Sequence, residues 1–131
     1  MNLDRFKEFR DERGWLLPFD FSKLPFTPKR IFFVSNVPQG MRRGDHAHYK
    51  TQQYIICLSG SVNVGLIDAH GNLEEKTITQ GQSVFVDKLI WDYQDFLTGH
   101  DSIAVLCSTE YDPDDYITSM ETLVQFVYAG I

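Results

Sequence analysis

Gln53-Tyr54-Ile55-Ile56-Cys57-Leu58-Ser59-Gly60-Ser61-Val62-Asn63-Val64-Gly65-Leu66-Ile67-Asp68 is the stretch on which the fold turns. Two β-prone runs meet at Leu58-Ser59-Gly60-Ser61, a short polar reversal that reads as a hairpin. In the second run Val62, Val64 and Leu66 alternate with Ser61, Asn63 and Gly65, the period of a strand with one buried and one lighter face. The small residues of the lighter face would leave room for a ligand. Runs of the same kind occupy residues 30–35, 53–58, 61–68, 73–79, 83–86, 93–96 and 103–108, divided by turn signals such as Asp68-Ala69-His70-Gly71-Asn72. Short strands at this spacing indicate an all-β sandwich or barrel.

The ends of the chain read differently. Residues 1–10 are polar with Leu3, Phe6 and Phe9 at a three-residue spacing, which suits a short strand or one turn of helix. Trp15, Leu16, Leu17, Phe19 and Phe21 form a bulky apolar start that either closes its own barrel or adds a strand to a neighbouring subunit. Asp112-Pro113-Asp114-Asp115 breaks the β pattern and reads as a turn and helix N-terminus, without the spacing of a calcium loop. From there Tyr116, Ile117, Met120, Leu123, Val124 and Val127 keep a helical period, predicting a C-terminal helix over 116–128 that packs on the barrel. With 131 residues and no repeat or linker, one domain over 1–131 is expected.

A formal charge of −6 argues against nucleic acid or an anionic membrane as the main partner, because both call for a basic surface. It leaves room for a small anion held by a local cationic pocket, and Arg42 with Arg43, Lys29 with Arg30, and Arg13 are the candidates, Arg being suited to phosphate oxygens. Cys57 and Cys107 lie in apolar runs with no CxxC partner, so they read as packing residues of a reduced, cytoplasmic protein. The start of the chain lacks the apolar centre of a signal peptide, and no apolar run reaches the roughly 18 residues of a membrane span.

Two of the four histidines fall in Arg43-Gly44-Asp45-His46-Ala47-His48. Residues two apart on a strand share a face, so His46 and His48 project together. Such a pair entering a hairpin-rich barrel resembles the first motif of the cupins, double-stranded β-helix proteins that often hold a divalent metal. In the metal-binding pattern a Glu follows four or five residues later and a second motif supplies another His; here those places hold Gln52, Gln53 and Asp92. Two imidazoles and one distant carboxylate can form a facial triad for iron, and a structural or surface role is also open to them. Acid/base catalysis without metal is favoured, because the pKa of histidine lies near neutral pH.

The resemblance then narrows. Lys29-Arg30-Ile31-Phe32-Phe33, the His46 and His48 motif, Leu58-Ser59-Gly60-Ser61-Val62, Trp91, Asp95-Phe96 and Tyr111-Asp112-Pro113-Asp114-Asp115-Tyr116-Ile117 together resemble the sugar 3,4-ketoisomerases, and Asp11-Glu12-Arg13-Gly14-Trp15-Leu16 is similar to that family's N-terminal D-x-R-G-x-L segment. The resemblance implies a metal-free homodimeric cupin that needs no cofactor, acts on dTDP-4-keto-6-deoxyglucose and moves the carbonyl from C4 to C3 in deoxy- and aminosugar synthesis. It implies His48 as the favoured base, with His46 beside it. The chain departs from the family pattern where tyrosines usually follow Lys-Arg and a His follows the Trp: it has Phe32, Phe33 and Asp92.

The reaction removes the C3 proton, forms an enediol and places a proton on C4. A neutral His48 suits the first step, and the same ring or His46 the last. Protonated His46 or Gln53 would polarise the sugar oxygens, and Asp92 would orient an imidazole. Arg43, Arg30 or Arg13 would bind the diphosphate, and Phe33 or Trp91 the thymine or sugar. A 3,5-epimerase-like cupin, a noncatalytic nucleotide-sugar-binding cupin and a metal-dependent oxygenase are the alternatives. His70 and His100, in polar loops, receive no role.

Overall fold

A computed structural model describes residues 6–130. Its framework is a barrel of two facing sheets. One has the strand order β3 (Arg30–Ser35), β10 (Ser102–Cys107), β5 (Gln53–Ser59), β8 (Ser83–Val86). The other runs β11 (Tyr116–Ile117), β4 (Arg42–His48), β9 (Trp91–Phe96), β6 (Ser61–Ile67), β7 (Leu73–Thr79). All pairings are antiparallel. The predicted all-β barrel is therefore present, and each of the seven strand runs read from the sequence coincides with a strand to within two residues at either end.

Alternation explains the interior. Ile55 and Cys57 of β5, Val62 and Val64 of β6, and Ile103, Val105 and Cys107 of β10 point inward with Val37, Ile78, Val84, Val86 and Phe96 to form the central core. The intervening Tyr54, Ile56, Ala104 and Leu106 are buried on the opposite face, beneath Phe6, Leu17, Phe19, Leu24 and Phe26. Strands β5 and β10 are thus buried on both faces, which is why they read as continuous apolar runs. Both thiols are buried, and burial pushes that of Cys57 up to about 11, which suits packing and not reactivity.

On β6 the inward Val62 and Val64 are as expected, but the opposite face holds no ligand space. A Cβ on Gly65 would lie 2.0 Å from the Tyr93 ring, which fills the gap, and Asn63 donates to Asp95. The lighter face is light because a neighbouring aromatic needs the volume.

The ends supply the other corrections. Residues 1–5 of the ambiguous N-terminal run lie outside the described residues; its far end enters a hairpin, β1 (Phe9–Asp11) with β2 (Gly14–Leu16), a two-stranded sheet of its own. The helix begins later than periodicity suggests: α1 covers Met120–Ala129, capped by Ser119, whose hydroxyl accepts from the Thr122 amide, and closed by Gly130 in the left-handed region. Tyr116 and Ile117 instead pair with His48 and Ala47 of β4. Their apolar spacing fits either element, and the cap at Ser119 decides where the helix can start. Leu123 anchors α1 against Ala47, Ala69 and Ile117, and Tyr128 bonds to the His70 ring, giving that loop histidine a structural use.

Candidate active site

The site begins with a bulge. Strand β4 follows β9 through Arg42, Arg43 and Gly44, then slips between Gly44 and His46. Gly44 and Asp45 both have positive φ, +87° and +60°. A Cβ on Gly44 would meet Asp92 O, Gln94 Oε1 and Tyr93 Cα at 3.1 Å, so this close approach requires glycine. A bulge inserts one residue and re-aims the side chains beyond it. Here those side chains are His46 and His48.

The two imidazoles meet edge to face with centroids 5.0 Å apart. Tyr116, brought in by β11, lies 5.1 Å from the ring of His46 and 4.6 Å from that of His48. The third member is Asp92 on β9, and the donor atoms of His46, His48 and Asp92 all lie within 4.8 Å of one another. His46 and Asp92 line a cavity of about 370 Å³ together with Arg30, Phe32, Arg43, Gln53, Gln94 and Tyr116. His48 sits just behind this wall, 4 % exposed.

Burial controls the charges. It lowers the pKa of His46, and it pushes His48 down to about 4, helped by the neighbouring His46 charge. Both imidazoles are therefore neutral at pH 7, the form that accepts a proton. Asp92, 1 % exposed, is pushed up to about 7 by burial, against the opposing hydrogen bond from Gln94. Gln94 Nε2 donates to Asp92 Oδ1 at 2.6 Å, while Asp92 Oδ2 is buried without a partner. Two histidines and a carboxylate are also a possible divalent-ion ligand set, but the position where a metal site of this pattern carries a Glu holds the neutral Gln53, which donates to Cys107 Sγ.

Of the residues singled out from the sequence, His46, His48, Asp92, Gln53, Arg43 and Arg30 converge here. The Arg30 guanidinium lies over the Phe32 ring at 4.9 Å and over Tyr111 at 5.1 Å, while Arg42 turns away to pair with Asp95 at 2.7 Å. Arg13 does not join them: it sits on the β1–β2 hairpin, paired with Asp11 of its own turn. Trp91 packs among Ala47, Ile117 and Leu123 under the helix instead of lining the cavity. Phe33 is 66 % exposed and reaches only the cavity's rim, since Arg30, Phe32 and Val34 take the inward face of β3.

Sequence reasoning passed over Tyr116, Gln94 and Asp115. The acid-rich turn before β11 is a 3-10 turn, Pro113–Asp115, and Asp115 is buried in it, accepting from the Lys50 and Thr51 amides at 2.8 and 3.2 Å and from the Thr51 hydroxyl. That clamp holds the end of β4 where His48 lies. The i, i+2 relation of Asp92 and Gln94 on one strand was the available signal for Gln94; Tyr116 had only its place in the motif over residues 111–117, because the strand it pairs with is distant in sequence.

Known proteins share this fold. The family model described as FdtA: WxcM-like, C-terminal matches residues 1–128. The chain is 30% identical over 125 residues to the TDP-4-oxo-6-deoxy-alpha-D-glucose-3,4-oxoisomerase of Aneurinibacillus thermoaerophilus, covering 93% of this chain and 88% of the relative. It superposes on QdtA, a sugar 3,4-ketoisomerase from Thermoanaerobacterium thermosaccharolyticum in complex with TDP, with TM-score 0.89 and 27% identity over 99% of this chain and 96% of the other. A mutant of QdtA in complex with TDP-4-keto-6-deoxyglucose gives TM-score 0.87 and 28% identity over 95% and 91%.

Proposed function

Because this chain belongs to the FdtA family, WxcM-like C-terminal, we propose that it is a TDP-sugar 3,4-ketoisomerase that moves the carbonyl of TDP-4-keto-6-deoxyglucose from C4 to C3. The observation that carries the reading is the pair of neutral, mutually packed imidazoles beside a buried carboxyl group, at the wall of a cavity of about 370 Å³. A ligand-sized cavity with convergent titratable groups is the ordinary form of such a site.

His48 takes the C3 proton as a neutral base and returns it to C4. Burial and the neighbouring His46 depress its pKa, and negative charge developing on the sugar favours the imidazolium and supplies the driving force. Positioned proton transfer contributes about 10²- to 10⁴-fold, and Gln53, His46 and Tyr116 stabilise the enediol oxygens. Arg43 and Arg30 take the diphosphate, and Phe32 flanks the sugar or base. The chemistry needs neither redox cofactor nor metal.

The enzyme works as a homodimer in the cytoplasm. Strand β3 is an edge of its sheet, and its outward Ile31 and Phe33 run into an apolar groove shared with Trp15, Leu17, Phe19 and Phe21. A second copy offers the same apolar strip, and covering it removes an exposed edge. No helix among the described residues is long and apolar enough to cross a membrane.

The test is incubation with TDP-4-keto-6-deoxyglucose in D₂O followed by NMR. A 3-keto product with exchange of the C3 hydrogen is expected. Neither product nor exchange refutes the assignment, and exchange at C3 and C5 with the carbonyl left at C4 makes the protein an epimerase instead. Stoichiometric iron or zinc in the active protein refutes the metal-free chemistry.

A further inference from the structure

Isomerisation moves two protons, and His48 accounts for only one of them. The ketone at C4 must gain a hydrogen on O4 while the hydroxyl at C3 loses its own. The group that manages this second proton has to reach both oxygens, be neutral when the ketone arrives, and accept a proton later.

We propose that Asp92 is a catalytic acid that carries the hydroxyl proton from O3 to O4 by way of its Oδ2. The inference rests on the ketoisomerase reading above. It stands on the geometry of one carboxyl group. Gln94 Nε2 donates to Oδ1, so a proton on the carboxyl belongs on Oδ2. Oδ2 is buried and has no partner, and Asp92 belongs with His46 and His48 to a cluster at the cavity wall whose donor atoms lie within 4.8 Å of one another. A buried polar atom left without a partner carries a desolvation penalty, which a substrate oxygen removes.

The surroundings favour the neutral acid. From β4, His46 and His48 present uncharged rings, and Asp45 adds a repelling negative charge. From β11 comes the Tyr116 phenol; Arg43 of β4 and Arg30 of β3 line the same cavity, where the diphosphate would engage them. Gln94, on the same strand, is the neutral group that fixes the carboxyl plane.

The protons balance as follows. The C3–H bond breaks toward His48, its electron pair forms the C3=C4 double bond, and the π electrons of the C4 carbonyl take the Asp92 proton onto O4. This leaves an enediol, an imidazolium and a carboxylate. The carboxylate then takes the O3 proton as the C3 carbonyl forms, and the double bond takes the imidazolium proton at C4. Both groups return to their starting state and no electrons leave the substrate. The resemblance described above places a His where Asp92 stands, so this proton route is a property of this chain.

Asp92→Asn and Asp92→Glu test it, with turnover measured against pH and TDP affinity measured separately. Asn keeps the acceptor for Gln94 but cannot donate and regain a proton, so turnover should fall by about 10²-fold or more, with TDP affinity within about threefold of wild type as the check on folding. Wild-type turnover should decline as pH rises through about 7. Asp92→Glu should keep that alkaline decline at reduced rate, and Asp92→Asn should lose it. Wild-type turnover with the same alkaline decline in Asp92→Asn overturns the proposal, as does the absence of any such decline in both wild type and Asp92→Glu. If Asp92→Asn is wild-type-like while His48→Asn is inactive, only this proposal fails; if wild type neither exchanges nor isomerises, the ketoisomerase reading fails with it.

Discussion

Asp92→Asn has a consequence for stability that is independent of any substrate. An aspartate in the unfolded chain has a pKa of 3.8, and in the folded protein burial raises Asp92 to about 7. A raised folded pKa means that folding binds a proton. The associated stability is complete below 3.8, declines as pH rises, and is gone once pH passes the folded value. Each unit of pKa difference corresponds to about 1.4 kcal/mol, so wild type should lose about 1.4 kcal/mol per pH unit in that window relative to the asparagine variant, about 4 kcal/mol in all. This is a large share of the 5–15 kcal/mol typical of a domain. His48 works in the opposite sense, costing stability as pH falls from its ordinary 6.5 toward about 4, but both chains carry it and it cancels to first order in the difference. Urea unfolding of the two proteins at a series of pH values from about 5 to about 8 measures the effect. The variant should gain about 2 kcal/mol on wild type between about pH 5 and 7, on top of any constant offset, and level off by about pH 8. A difference that stays flat within about 0.5 kcal/mol across that range would mean that Asp92 ionises as if exposed, and the account of its environment would be wrong.

Three other outcomes are expected. His48→Asn should abolish turnover and C3 exchange while TDP still binds in titration calorimetry; retained exchange would make another residue the base. Arg43→Ala should weaken TDP binding by about 10- to 100-fold, the range for losing one charge-assisted contact, with little change in melting temperature. Gly65→Ala puts a methyl 2.0 Å from the Tyr93 ring, and Tyr93 is held by Glu75 and lies beneath Arg42. Overpacking of this kind typically costs about 1–3 kcal/mol, visible as a lower urea midpoint, and a neutral result would mean that the ring moves freely.

Legibility in the sequence followed the range of the interactions. Strands such as Leu73–Thr79 and Ser83–Val86 are β-prone runs set between turn residues, so their bounds were readable. The histidine pair was readable because two residues apart on a strand means one face. Asp92 was visible as a departure from a familiar pattern, but its burial was not, since that depends on β4 and β6 closing over it. Tyr116 was assigned to a helix because its pairing with His48 spans 68 positions of sequence, beyond the reach of any local period. Phe33 was preferred to Phe32 as the substrate-facing aromatic, although alternation from Arg30 selects Phe32 for the inward face. Arg13 was grouped with the phosphate clamp by charge alone, and its ionic partner lies two residues away in the same turn.

Strands β5 and β10 are buried on both sides, with Gln53, Ile55 and Val105 on the cavity and Tyr54, Ile56 and Leu106 under the N-terminal segment. A change in side-chain volume on either side shifts one shared backbone, so reshaping the sugar cavity through these strands will disturb the docking of the N-terminus and the groove beside it. Strands β4 and β9, whose inward residues His46, Asp92 and Gln94 reach the cavity directly, have no such second duty toward that segment. Laboratory evolution toward altered sugars should therefore acquire substitutions on β5 or β10 only with compensating changes among Leu17, Phe19 and Leu24, whereas on β4 and β9 the limit is set by the catalytic side chains themselves.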